Sequence, residues 1–484
     1  MKAGELRDKV AGSVAWSIAE KAGTMLLQMG VSIIVARHLS PDDYGMMAVL
    51  TVFSAVALML VDSGFSQALI RGAEPSDEDY KSVFGFNMAM SAGAYVLLTA
   101  ASPALAAYYD SPMLSRIAPI LFLLLPINAL GVIQNTILSR RFRFDTISKI
   151  VFTSSLASGL LAVAMAMGGC GVWCLVGQRL AQMTVKSALL WRFGGWRPSA
   201  GMHAEPLRKL SPFGLRLLAT DLSSTLFNNL PALFVGRLYS VTTLGFFNQA
   251  QKLKELPVSS TTQAVQNVTF PALSNIDGDE RKFAESYRQV VMVVAFAMFP
   301  VMTGLSAVAE DTFALLLGKK WMPTVPYFEA ICLTGLFAPL ASVALNVVKV
   351  RSDGRAIVRA EIVKKTVMAA ILAATIPVGV MALTWGLVAA AAVEMAVNVA
   401  LSTRFSEFTA GTFVRTVAPP AALSAAMYAI VRITLSALDT AAVSLRLAAG
   451  IAAGAAVYTA LAAAFRLEAM AEVRAIVRKL FTGK

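Results

Sequence analysis

The sequence predicts an all-α polytopic membrane protein of 14 transmembrane helices, arranged as two parallel six-helix repeats followed by two more helices. Composition is the first observation behind this. Of 484 residues, 57% are hydrophobic and 15% charged, and mean hydropathy is +0.66; soluble domains carry about 25% charged residues. Secondly, the charges separate apolar runs of about 20 residues, the length a helix needs to cross a bilayer. The third observation is an internal echo. Val35-Ala36-Arg37-His38-Leu39-Ser40-Pro41-Asp42-Asp43-Tyr44-Gly45 returns as Val235-Gly236-Arg237-Leu238-Tyr239-Ser240-Val241-Thr242-Thr243-Leu244-Gly245, with Val, Arg, Ser and Gly in register. Further on, Trp173, Leu175, Val176, Arg192 and Phe193 return as Trp385, Leu387, Val388, Arg404 and Phe405 at an offset of 212.

The predicted spans are 11–36, 44–68, 82–108, 114–138, 146–168, 171–193, 211–236, 243–274, 286–308, 325–348, 362–382, 384–404, 413–435 and 441–465. The first follows Lys2, Arg7 and Lys9 without a small-residue cleavage site, so it is expected to remain as an uncleaved anchor. Ser40-Pro41 with Asp42-Asp43 has the composition of an N-cap opening the second span. The eighth is the most polar, with Gln249, Gln251, Lys252, Lys254, Glu255, Gln263, Gln266 and Asn267. It is either an interfacial helix or a spanning helix that lines water, and its place opposite the second span favours spanning. Pro126, Pro231, Pro257, Pro300, Pro339 and Pro377 fall inside spans, where proline permits kinks. The last two spans lie outside the repeat and carry Gly450-Ile451-Ala452-Ala453-Gly454, a small-xxx-small spacing that allows close packing.

Basic residues test the topology. With the N-terminus inside, 30 of the 42 Lys and Arg fall at cytoplasmic ends, seven on the opposite side and five within spans. Both termini are therefore expected in the cytoplasm. The expected organisation is an N-terminal six-helix lobe (1–193), a cytoplasmic linker (194–210), a C-terminal six-helix lobe (211–410), and two extra helices with a basic tail (411–484). Duplicated helical halves are characteristic of secondary transporters, which bind substrate at the seam, so the repeat points to transport.

Other classes find little support. The net charge of +13 lies at helix ends and not in a basic stripe with exposed aromatics, which argues against nucleic acid. No P-loop appears, no metal is expected from two isolated histidines, His38 and His203, and no cofactor is implied. Cys170 and Cys174, one turn apart, read as small packing residues, with a bridge as the alternative. Loops are short, and the nearest thing to a carboxylate pair, Asp42-Asp43, reads as the cap of span two, which argues against an enzyme.

Ionisable groups inside spans are costly in lipid and mark partners or watery cavities. Lys21, Arg179, Lys186, Lys252 and Lys254 are the candidate substrate-binding cations, with Glu20, Gln249, Gln251 and Glu255 as polar and acidic neighbours. Arg179 and Lys186, seven apart, share a helix face. Surplus positive charge in a confined cavity suits an anionic substrate; the alternative is that Glu20 and Glu255 neutralise these cations. Asp62 and Glu394 are candidates for a coupling proton, or else simply hydrogen-bond to neighbouring helices. Arg37 and Arg237 are repeat-equivalent, and either gate the outer mouth or cap their helices' C-terminal carbonyls.

Several segments carry a family resemblance: 36–45, Gly64-Phe65-Ser66-Gln67-Ala68-Leu69-Ile70, Phe247-Asn248-Gln249-Ala250-Gln251-Lys252-Leu253, Phe270-Pro271-Ala272-Leu273-Ser274 and Leu317-Gly318-Lys319-Lys320-Trp321. Over roughly residues 10–405 the chain resembles Wzx-like lipid-linked oligosaccharide flippases. These are polysaccharide transporters of the multidrug/oligosaccharidyl-lipid/polysaccharide exporter superfamily, and the likeness is to the exopolysaccharide-export branch. The resemblance implies a V-shaped pair of lobes working by alternating access in the bacterial inner membrane. It implies as substrate an undecaprenyl-diphosphate-linked oligosaccharide moved to the periplasmic leaflet. Membrane lipids, a polysaccharide polymerase and export machinery are the implied partners. Lys21, Arg179 and the span-eight lysines would then engage the diphosphate. The rival readings are a drug or cation antiporter of the same superfamily, a membrane enzyme acting on the same glycolipid, and a non-transporting scaffold.

Overall fold

The computed structural model describes residues 23–473 apart from 73, 200–202, 277 and 353. Among the described residues there is no strand. The helices are α1 (23–38), α2 (Pro41–Asp62), α3 (Phe65–Arg71), α4 (Asp77–Tyr108), α5 (Met113–Leu121), α6 (Leu124–Arg140), α7 (Phe144–Met167), α8 (Trp173–Gly194) and α9 (Ala204–Leu238). They continue with α10 (Val241–Asn275), α11 (Glu280–Ala307), α12 (Ala309–Leu316), a 3₁₀ turn (Lys319–Thr324), α13 (Val325–Cys332), α14 (Thr334–Arg351), α15 (Arg355–Thr375), α16 (Val380–Ser402), α17 (Ala410–Ala437) and α18 (Val443–Ala464). Nine stretches among the described residues are long and apolar enough to cross a membrane. The long helices α8, α9, α10 and α15 fall outside that set, and all four carry ionisable residues.

Local chemistry explains the helix ends. Ser40 caps α2 in a reciprocal box with Asp43, and Ser76 does the same for α4 with Asp79; in each, a hydroxyl and a carboxylate satisfy backbone N–H groups that the first turn leaves open. Ser63 (φ +46°) and Gly64 (φ +71°) turn left-handed and break α2 from α3. The predicted second span is thus two helices joined at a bend. Helix α9 begins at Ala204, seven residues ahead of the apolar pattern. Its first turns form because Leu207 and Leu210 pack on the cluster of Phe65, Leu69, Val83, Ile133 and Ile137, a tertiary contact absent from local periodicity.

The chain divides into two compact units, Met1–Gly245 and Phe246–Lys484. In the first, α8 packs against α6 and α7, α4 against α6, and α9 along α2. Small residues permit these approaches: Gly131 lies against Ser187, and Gly194 against Gln134. Ser187 Oγ donates to the Ile127 carbonyl (2.7 Å) and Trp191 Nε1 to that of Leu130 (2.8 Å). Two crossings are tighter still. A methyl group on Gly64 would overlap the backbone of Gly214. The second crossing joins the two copies of the repeated segment reciprocally. A methyl on Gly45 would overlap the Val241 carbonyl, and one on Gly245 would overlap that of Pro41, the repeat-equivalent position.

In the second unit the same neighbour relations recur: α11 with α14, α14 with α16, α15 with α16. Helix α11 begins 203 positions after α4, whereas α14 ends 211 after α6. The extra length lies between α11 and α13, where α12 and the 3₁₀ turn replace the short connection from α4 to α5. Arg140 and Arg351 end equivalent helices and tie off their units alike. Arg140 donates to the carbonyls of Ile70 (3.2 Å) and Gly72 (2.7 Å). Arg351 donates to Phe405 (3.0 Å), lies 3.7 Å over the Phe283 ring and pairs with Glu280. Helices α17 and α18 pack onto α11 and α12 through Leu423, Met427, Val431, Leu435 and Tyr458. Gly450 faces Leu435 and Val308, and Gly454 faces Val431, so this glycine pair packs within the chain.

Candidate functional site

Helix α8 carries Gln178, Arg179, Gln182 and Lys186 at the 3-, 4- and 7-residue spacings that form one stripe. Its residues include no Asp or Glu. Arg179 is exposed on the surface of its unit and Lys186 is half-buried. Neither makes an ion pair or side-chain hydrogen bond among the described residues. Ser155 on α7 is buried and accepts hydrogen bonds from Gln182 Nε2 and from Gln28 Nε2 on α1, each at 3.4 Å. Gly159 on α7 lets Val31 of α1 approach, which brings Gln28 to the stripe. Three helices therefore assemble two amides, one hydroxyl and two uncompensated cations. Glu20 and Lys21 lie outside the described residues.

The α10 residues belong to the second unit and behave differently. Lys254 is nearly buried and pairs with the exposed carboxylate of Glu255 at 3.2 Å, so it has its own counter-ion. Lys252 is exposed and Gln251 half-buried. Gln249 is fully buried, and neither of its amide atoms has a hydrogen-bond partner among the described residues. A buried amide left unpaired costs about 1–3 kcal/mol. Gln249→Leu is therefore expected to raise the melting temperature of the purified protein; a lower value would mean that the amide is satisfied by bound water or ligand.

The remaining candidates have structural partners. Asp62 ends α2 and accepts a hydrogen bond from Ser66 Oγ. Glu394 on α16 lies 3.6 Å from the buried Lys364 of α15, which also pairs with Glu361. A lysine buried near the end of a predicted span accounts physically for a carboxylate beside it. Arg237 donates to Asp110 Oδ2 (3.0 Å) and stacks 4.9 Å above Tyr108, linking the end of α9 to the α4–α5 connection. Arg37 is exposed at the end of α1. Among the described residues no cluster of His, Cys, Asp and Glu is suited to a metal, and Cys170 and Cys174 are free.

Sequence reading missed Gln28, Gln182 and Ser155. Gln178 and Gln182, one turn apart around Arg179 in a predicted span, were a readable signal. Ser155 gave none, because serine is unremarked in membrane helices and its partners come from α1 and α8.

Comparison with known proteins agrees with this architecture. The model of the family described as "Polysaccharide biosynthesis protein" matches residues 34–326. The succinoglycan biosynthesis transport protein ExoT of Rhizobium meliloti (strain 1021) is 25% identical over 335 residues, 69% of this chain and 68% of that one. The lipopolysaccharide biosynthesis protein WzxC of Escherichia coli (strain K12) is 25% identical over 338 residues, 68% of each chain. Among solved structures, the lipid II flippase MurJ in an inward closed conformation superposes with a TM-score of 0.75 at 13% identity, over 93% of this chain and 98% of that one. At that identity the likeness is one of fold.

Proposed function

Since the chain belongs to the polysaccharide biosynthesis protein family, we propose that it is a secondary transporter of lipid-linked glycans. In this reading it flips an undecaprenyl-diphosphate-linked repeat unit from the cytoplasmic to the periplasmic leaflet, for exopolysaccharide or lipopolysaccharide synthesis. The observation that carries the proposal is the stripe on α8, where Arg179 and Lys186 have no counter-ion among the described residues and no carboxylate shares their helix. A diphosphate supplies the missing negative charge. At an effective dielectric of 20, each close charge pair is worth about 4 kcal/mol before desolvation. The amides of Gln28 and Gln182 and the Ser155 hydroxyl offer both donors and acceptors to sugar hydroxyls. The polyprenyl tail remains in the bilayer while the headgroup crosses, so the chain moves its substrate without bond chemistry.

The skewed distribution of Lys and Arg supports cytoplasmic termini, and a parallel duplication supports alternating access. An antiporter of cationic drugs would need carboxylates where α8 has cations, which disfavours that rival. A deletion strain is expected to lose surface polysaccharide and to accumulate the glycolipid on the inner leaflet. Normal surface polysaccharide, or glycolipid found on the outer leaflet, would overturn the proposal.

A further inference from the structure

A second feature of the first unit lies away from the α8 stripe. Where α6 and α8 end and α4 begins, a cavity of about 410 Å³ is lined by Asp77, Tyr80, Arg140, Arg141 and Trp196, among others. Its walls are fixed. Trp196 Nε1 donates to Asp77 Oδ1 (2.7 Å), and the indole packs 6.2 Å from the Tyr80 ring and 5.8 Å from that of Phe84. Asp77, the one carboxylate among the lining residues, is also paired with Lys81. Arg140 is anchored on the carbonyls of Ile70 and Gly72. Arg141 is exposed and makes no ion pair or side-chain hydrogen bond among the described residues.

We propose that this cavity binds the phosphodiester headgroup of an anionic phospholipid. With Asp77 compensated, the two arginines leave it net positive, and a guanidinium offers a phosphate the paired N–H donors that suit its oxygens. Its neighbours favour lipid over a soluble phosphate. Phe142 and Phe144, next in the chain to Arg141, are 81% and 53% exposed and stack edge to face at 6.1 Å. Exposed phenylalanine rings beside a membrane helix end insert at the boundary between headgroups and acyl chains. Basic pockets between helix ends are where lipid phosphates bind. Arg143, in the same loop, is already engaged, donating to Thr146 Oγ1 at 2.8 Å and lying 3.9 Å from Asp145.

The test is native mass spectrometry of the purified full-length protein with phosphatidylglycerol, phosphatidylcholine or glycerol 3-phosphate added. Phosphatidylglycerol is expected to be retained at least tenfold better than phosphatidylcholine. Arg141→Glu should abolish that preference, Arg141→Lys should keep most of it, and Arg143→Glu should change it less than twofold. Equal retention of the two lipids, or an unchanged preference in Arg141→Glu, overturns the site. Displacement of the lipid by equimolar glycerol 3-phosphate assigns the cavity to soluble phosphate esters and overturns the lipid assignment.

Discussion

Gly245→Val is expected to lower, more than tenfold, the disulfide yield of an Asp42→Cys, Thr242→Cys pair in membranes. In the native chain Thr242 Oγ1 donates to Asp42 Oδ1 at 3.1 Å, so cysteines at these positions are close enough to oxidise together. That proximity depends on two glycines. The start of α2 and the start of α10 meet backbone to backbone, and any side chain on Gly245 would overlap the Pro41 carbonyl. A carbonyl within a capped first turn cannot rotate aside, because Ser40 and Asp43 hold that turn. The helices must separate, at a cost that exceeds the roughly 1–3 kcal/mol typical of overpacking by flexible groups. Gly45→Val should act alike, since its obstacle is the carbonyl of Val241. Gly93→Val on α4 is the control, as nothing lies within 4 Å of a side chain there. Unchanged cross-linking in both glycine variants would show that this contact is not the state populated in membranes.

Arg179→Ala is expected to reduce transport of lipid-linked glycan into the outer leaflet of proteoliposomes by roughly 30- to several-thousand-fold, the range set by about 2–5 kcal/mol for truncating one partner of a close charge pair. The same variant should melt at a higher temperature than the native protein. The guanidinium has no counter-ion among the described residues and shares its helix face with Lys186, so its removal relieves like-charge repulsion. A stabilised but inactive protein is the signature of a group retained for function. Lys186→Ala should show the same pair of effects at smaller amplitude, because the ammonium on its flexible four-carbon stem is free to turn toward water. If Arg179→Ala transports normally and melts lower, Arg179 is a packing residue and the diphosphate assignment falls.

The contrast between Arg179 and Lys254 shows how far sequence reading reached. Both are cations inside long helices, and both entered the candidate site on that ground. Lys254 has an adjacent acid, Glu255, which pairs with it. That possibility was visible, whereas its realisation depended on rotamer and burial. Arg179 has no acid on its own helix, which was also visible. What could not be read was the Gln28–Ser155–Gln182 network around it, because it joins residues 27 and 127 positions apart. Similarly, Glu394 was a lone carboxylate in an apolar run until α15 placed Lys364 beside it.

The all-helical character, the duplication and the excess of positive charge follow from the sequence by itself. They rest on local or one-dimensional properties: apolar run length against bilayer thickness, repeated residues in register, and the sign of side chains at helix ends. Which charges find partners, where the glycine pair of the repeat closes backbone on backbone, and how a turn after α8 builds a basic cavity were decided only by the tertiary structure. Burial and counter-ion distance are properties of the folded arrangement, and helices far apart in the chain contribute to each.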